Sequence, residues 1–302
     1  MKLFEWMVKP TQQTEWIEGK GVLCWIPEVL TSFGAGLFLV SLYFDSLVGM
    51  FVAWLIIVVL DIPLRLLDYG KPLRFWRTVA PLSNAWKTSW FNRGVTFASL
   101  FSGFVVIQLC FSYWLPGTAW DVAFKVVAGI LAFLVGIYSG FIMNYCRSIP
   151  FWNSALLPIL IILNGICDGF FLMMAVWLGG AQVDIMAAAT GSLVLLIAST
   201  LIIAIYLWSQ TYTSLTAKYS VTQLIRGYIA PMFWIGTVVL GTIIPLAILA
   251  SSYFAGAVSS ALLIVAISCR VLGAFALRYC LLKAGIYEPL VPGWSTMLTA
   301  TK

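Results

Sequence analysis

Long apolar runs alternate with brief polar breaks from residue 26 to residue 282. A helix needs about 20 residues to cross the hydrocarbon of a bilayer. Eight runs are long enough: residues 26–44, 47–67, 95–115, 122–144, 154–178, 187–208, 229–250 and 256–282. Short turns join them in pairs, at Asp45 and Ser46, Pro116 and Gly117, Gly179 and Gly180, and Ser251 and Ser252. The longer connections, 68–94, 145–153 and 209–228, then share a face with both termini, because an even number of crossings returns the chain to its starting side. The pattern predicts an all-α integral membrane protein of eight transmembrane helices, expected as two four-helix bundles with both termini on one side. A polar segment, 1–25, precedes the membrane domain 26–287, and a tail, 288–302, follows it. Pro158 and Pro245 fall inside helices, where neighbouring groups can satisfy the freed backbone. Gly34, Gly36, Gly129 and Gly136 allow helices to approach closely.

Composition removes the soluble alternative. Charged residues make up 9% of the chain, whereas a soluble domain uses about 25% to cover its surface. The first twenty residues are polar and mixed in charge, without a cleavable signal pattern. Fifteen of the seventeen Lys and Arg residues fall on the face with the termini and long loops, leaving Lys125 opposite and Arg270 within the eighth helix. That bias places the basic face in the cytoplasm by the positive-inside rule. The chain has no histidine, so bis-histidine haem ligation is impossible. Its six cysteines, Cys24, Cys110, Cys146, Cys167, Cys269 and Cys280, show no C-x-x-C spacing and read as small buried hydrophobes. No haem or fixed metal of its own is expected.

Residues 65–93 form the only long polar connection, with Arg65, Lys71, Arg74, Arg77, Lys87 and Arg93 set against Asp68. Trp76, Trp86 and Trp90 add the residue type enriched at membrane interfaces. Loop 68–94 is therefore a candidate docking shelf, with Arg74, Trp76, Arg77, Trp86, Lys87 and Arg93 as its contacts; the bland alternative is an ordinary basic loop. Ionisable groups inside a bilayer are costly and point to function. Tyr138 and Asp61 each lie about six residues from the basic end of a helix, roughly 9 Å deep, and Glu28 lies two or three residues in. A tyrosine can hydrogen-bond a carbonyl oxygen and a carboxylate can take a proton. The competing readings are a belt tyrosine for Tyr138, a solvated helix start for Glu28 and loop water for Asp61. Asp168 and Arg270 share a level near mid-membrane, with Asn164 one turn from Asp168. They read equally as a proton path or as a structural ion pair.

The runs Tyr138-Ser-Gly-Phe-Ile and Arg147-Ser-Ile-Pro-Phe-Trp-Asn153-Ser-Ala-Leu-Leu-Pro158 resemble the Y-T-G and A-I-P-F-W-N-x-x-L-L-P signature of the NrfD/PsrC family. Leu67-Asp-Tyr-Gly-Lys-Pro-Leu-Arg-Phe-Trp-Arg77 resembles that family's L-D-L-G-R-P-L-R-F-W-R, and Leu277-Arg278-Tyr279 with Lys283-Ala284-Gly285 is a third match. The likeness spans residues 26–287. Ser139 replaces the usual threonine, and the histidine that some relatives place near the start of the first helix is missing, leaving Glu28 as the nearest polar candidate. The resemblance implies a quinone-reactive membrane subunit in a bacterial or archaeal inner membrane. In it, Tyr138 would contact quinone or menaquinone, and Glu28 and Asp61 would assist. It also implies a ferredoxin-like iron–sulfur subunit and a molybdopterin catalytic subunit as partners, which would hold the metal centres. Several relatives carry that partner outside the cell, against the charge bias. Two other classes compete, a structural anchor without quinone chemistry and a small-solute or proton transporter. No broken helix recurs in the two halves as an inverted-repeat carrier requires.

Overall fold

The computed structural model describes residues 9–68, 74 and 84–290. Among them, eight helices are long and apolar enough to cross a membrane: Gly19–Tyr43, Leu47–Asp68, Trp90–Trp114, Ala119–Tyr145, Leu156–Leu178, Ile185–Thr213, Met232–Ala255 and Ser260–Lys283. They are called the first to eighth spans. Helix ends move where capping overrides hydropathy. The third span starts at Trp90, not 95, because the Ser89 hydroxyl accepts from the Asn92 N–H at 3.4 Å. The seventh runs through Ser251 and Ser252, so the expected turn there is displaced to Gly256. Ser251 satisfies itself against the Ile248 carbonyl at 2.8 Å, and Gly256 adopts the left-handed conformation (φ 61°) that stops the helix. Two shorter helices among the described residues lie outside the spans, Asn84–Thr88 and Leu215–Arg226, the latter polar and capped by Ser214.

The first and fifth spans form the centre. A Cβ on Gly36 would lie 1.8 Å from the Gly165 carbonyl oxygen, so the two backbones touch and no side chain fits between them. The first span also packs on the second, fourth and eighth, and the fifth on the fourth, sixth and eighth. The third leans on the fourth and the seventh on the eighth.

Two spans carry π-helical stretches, Ile56–Asp61 in the second and Met232–Ile243 in the seventh. Each ends two residues before a proline, Pro63 or Pro245. A proline ring clashes with the carbonyl four residues back and brings no N–H to it, and a wider turn relieves both problems. The amides just ahead of each proline accordingly bond five residues back, Ile62 to the Ile57 carbonyl and Ile244 to the Val239 carbonyl.

The chain ends meet beneath the basic face. Strand β1 (Thr11–Gln12) pairs antiparallel with β2 (Ile286–Tyr287). The loop between the fourth and fifth spans turns Ile149, Phe151 and Trp152 into the core. Trp152 Nε1 donates to the Leu281 carbonyl at 2.8 Å, Tyr206 Oη donates to the Phe151 carbonyl at 2.5 Å, and Trp16 packs edge-on against Trp152.

Candidate functional site

The first cluster joins the first, second and fourth spans. Asp61 and Tyr138 are both buried, which excludes loop water for the one and a lipid-belt position for the other. Arg65, one helical turn beyond Asp61, donates from Nε to Asp61 Oδ1 at 2.8 Å and from Nη2 to Thr31 Oγ1 at 2.8 Å. Its guanidinium carbon stands 5.5 Å from the centre of the Tyr138 ring. Thr31 keeps its own proton on the Pro27 carbonyl at 2.9 Å. Arg65 thus belongs to the membrane interior, although its place at a helix end counts it with the basic loop.

A cavity of about 60 Å³ opens beside this cluster, lined by Arg65, Tyr138, Ile62, Leu66, Val95 and Ala98 among others. Asp61 is not part of its wall. Gly94 forms another part, and a Cβ there would fall 2.2 Å from the Tyr138 ring, so glycine is what lets the ring lie flat against the third span. Mostly apolar walls with a phenol, a guanidinium and the Ser99 hydroxyl suit a flat ring that bears oxygen atoms.

Glu28 is buried as well, not a solvated helix start. The first helix begins earlier than hydropathy indicates, with its regular α-helix already running from Val22. Glu28 therefore lies more than one turn inside. Arg278 of the eighth span meets it, Nη1 to Glu28 Oε2 at 3.4 Å and Nη2 to Ser32 Oγ at 2.9 Å, while Ser32 donates to the Glu28 carbonyl at 3.1 Å. Outside the membrane, burial and then the charge of Glu28 push the Cys146 thiol up, so Cys146 stays protonated at neutral pH.

The deeper set forms a closed knot. Arg270 donates from Nε to Asp168 Oδ1 at 2.5 Å, from Nη2 to Asn164 Oδ1 at 2.9 Å and from Nη1 to the Gly241 carbonyl at 3.1 Å. Gly241 lies in the π-helical stretch of the seventh span, so this bond ties the seventh span to the eighth. Asn164 Nδ2 completes the set on the Leu160 carbonyl at 2.9 Å. A cavity of about 30 Å³, enough for a few water molecules, is bordered by Asn164 and Asp168 on one side and by Ser32 and Arg278 on the other.

Of the shelf residues, Trp76 and Arg77 lie outside the described residues. Arg74 and Lys87 are exposed and Trp86 is half-buried. Arg93 folds back into its own loop, donating to the Trp86 carbonyl at 3.0 Å and the Lys87 carbonyl at 2.5 Å with its guanidinium 4.6 Å from the Trp90 ring. On the opposite face Lys125 is held by Asp45 at 2.6 Å and Asp121 at 3.0 Å.

Sequence reasoning counted Arg65 with the basic loop and Arg278 with the last motif, not as partners of the carboxylates, and gave no role to Thr31 and Ser32. The signals were present. Arg65 stands four residues after Asp61, and Ser32 four after Glu28, spacings that bring side chains onto one helix face. A family model described as polysulphide reductase, NrfD, matches residues 35–289, and no curated protein matches the chain.

Proposed function

Because the chain belongs to the polysulphide reductase NrfD family, whose members are membrane subunits of polysulfide and related reductase complexes, we propose that it is the quinone-reactive subunit of a respiratory molybdopterin and iron–sulfur oxidoreductase. It exchanges electrons and protons with quinone or menaquinone and works in a bacterial or archaeal inner membrane. One observation carries the reading: Tyr138 and Arg65 face an apolar cavity while Asp61 and Glu28, both buried, stand close behind them.

The chemistry follows from the residues. The Tyr138 hydroxyl hydrogen-bonds a ring oxygen and fixes the ring in the cavity. Oxidation of a quinol releases protons and electrons in equal number. The carboxylates of Asp61 and Glu28 hold the protons on their way to the basic face, about a turn and a half above. Electrons pass to a ferredoxin-like iron–sulfur subunit and from it to a molybdopterin subunit, or the reverse. Arg74 and Lys87 are exposed where that partner would dock. Quinol-analogue oxidation by the purified complex tests the reading. Tyr138→Phe, which removes one hydroxyl, is expected to lower turnover about a hundredfold with the complex intact, and wild-type turnover in that variant would refute the assignment.

A further inference from the structure

The buried Arg270 and Arg278 and the half-buried Arg65 differ in how many of their donors are occupied. A guanidinium carries five N–H groups. Each nitrogen of Arg270 has a partner, to Asp168, Asn164 and the Gly241 carbonyl. Arg278 has Glu28 and Ser32. Arg65 uses only Nε and one hydrogen of Nη2, so both Nη1 hydrogens and the second Nη2 hydrogen have no acceptor among the described residues. Its side chain retains 13% exposure and lines the cavity that Tyr138 borders, whereas Asp61 is 1% exposed and does not. The ion pair therefore presents its positive end to the cavity and hides its negative end.

We infer that Arg65 is the anion-recognising donor of this cavity: its free N–H groups bond a ring oxygen of the bound quinone and favour ligands that carry negative charge on that oxygen. The inference rests on the quinone reading above and adds a residue and a charge preference to it. Three features support direct contact over a merely structural pair. Thr31 and Asp61 hold the guanidinium from behind, at Nη2 and Nε, and so fix the direction of the open edge. The Tyr138 ring, 5.5 Å from the guanidinium carbon, limits the space beside it and places phenol and guanidinium within reach of one flat ligand. Of the remaining lining, Ile62, Leu66, Val95 and Ala98 are apolar, and Ser99 adds a hydroxyl whose proton is already on the Val95 carbonyl at 2.9 Å. A charge-assisted hydrogen bond in such surroundings is stronger than a neutral one.

The test uses the full chain purified in detergent and two probes with the same alkyl tail. One is a 3-alkyl-2-hydroxy-1,4-naphthoquinone, anionic at neutral pH, and the other a neutral 3-alkyl-2-methyl-1,4-naphthoquinone. Calorimetric titration gives both affinities. Wild-type protein is expected to bind the anion about tenfold more tightly than the neutral probe. Arg65→Gln should abolish that preference, weakening binding of the anion about tenfold more than binding of the neutral probe. Arg65→Lys keeps a cation beside Asp61, and with it the fold. It should lower the preference too, because a compact ammonium cannot span Asp61, Thr31 and the ligand as a planar fork does. An Arg65→Gln protein that retains the full preference overturns the inference, as does wild-type protein that binds both probes equally. If Arg65→Gln does not fold, Arg65→Lys decides alone, and an undiminished preference there overturns the proposal. Failure of wild-type protein to bind either probe defeats the quinone reading itself, an outcome distinct from the loss of charge preference.

Discussion

Asp61–Arg65 in the second span and Asp168–Arg270 between the fifth and eighth are both arginine–carboxylate pairs with a buried carboxylate, and both accompany a π-helical stretch that ends ahead of a proline. They differ in saturation. Around Arg270 every nitrogen meets an acceptor, one of them the Gly241 carbonyl in the π-helical stretch of the seventh span. Around Arg65 part of the guanidinium remains open toward a cavity. A buried charge with an acceptor inside the protein at every nitrogen holds helices together. One that is held from behind and open in front is prepared for a ligand. Saturation distinguishes the strut from the site here, where depth in the membrane and residue type do not.

The comparison is broken most severely at Asp168. Asp168→Asn leaves Arg270 without its counter-charge and should lower stability by about 3–5 kcal/mol, read as thermal unfolding in detergent. The double variant Asp168→Asn with Arg270→Gln should recover most of that loss, since no lone charge remains. A single variant that is as stable as wild type but has lost turnover would assign the pair to proton transfer instead. Tyr138→Phe is the opposite case. A hundredfold fall in turnover corresponds to about 2.7 kcal/mol of transition-state stabilisation, with thermal stability close to wild type. A matched control removes the hydroxyl of Tyr206, which bonds the Phe151 carbonyl. Tyr206→Phe should cost about 2 kcal/mol of stability by leaving that carbonyl unpaired and leave the turnover of folded protein unchanged. The smallest effect concerns the surface. Arg74→Glu with Lys87→Glu should weaken retention of the iron–sulfur partner about tenfold, or roughly 1.4 kcal/mol, in co-purification assays. Arg93→Glu should disturb the loop itself, because Arg93 already serves the Trp86 and Lys87 carbonyls.

Helix number and the level of the deep pair were legible because both follow from counting. Eight apolar runs give eight spans, and a common depth brings Asp168 and Arg270 together at 2.5 Å. The family was legible in loop motifs, which hydrophobic composition does not dictate. Within one of those motifs Phe151 and Trp152 prove to be core residues that hold the fourth, fifth, sixth and eighth spans together. The partners of Glu28 and Asp61 were not read. Counting assigns a cation near a helix end to the water side, but Arg65 and Arg278 point the other way, toward carboxylates one turn deeper or on another span. Long side chains can reach either way from the same backbone position, so only the packing of neighbouring helices settles their direction. The depth of Glu28 was underestimated for a related reason. The first helix opens with residues too polar to register as membrane, and the pairing of β1 with β2 helps hold that segment against the rest of the fold.

The bond between Glu28 and Arg278 joins residues 250 positions apart, and that separation has a consequence for biogenesis. The first span leaves the ribosome long before the last, so Glu28 enters the membrane while its hydrogen-bonded cation does not yet exist. Until the eighth span arrives, that carboxyl must take up a proton, keep a shell of water or borrow another counter-ion. A chain truncated before Arg278 would expose this defect permanently to membrane quality control. The first span is thus fully paired only once the eighth has joined it.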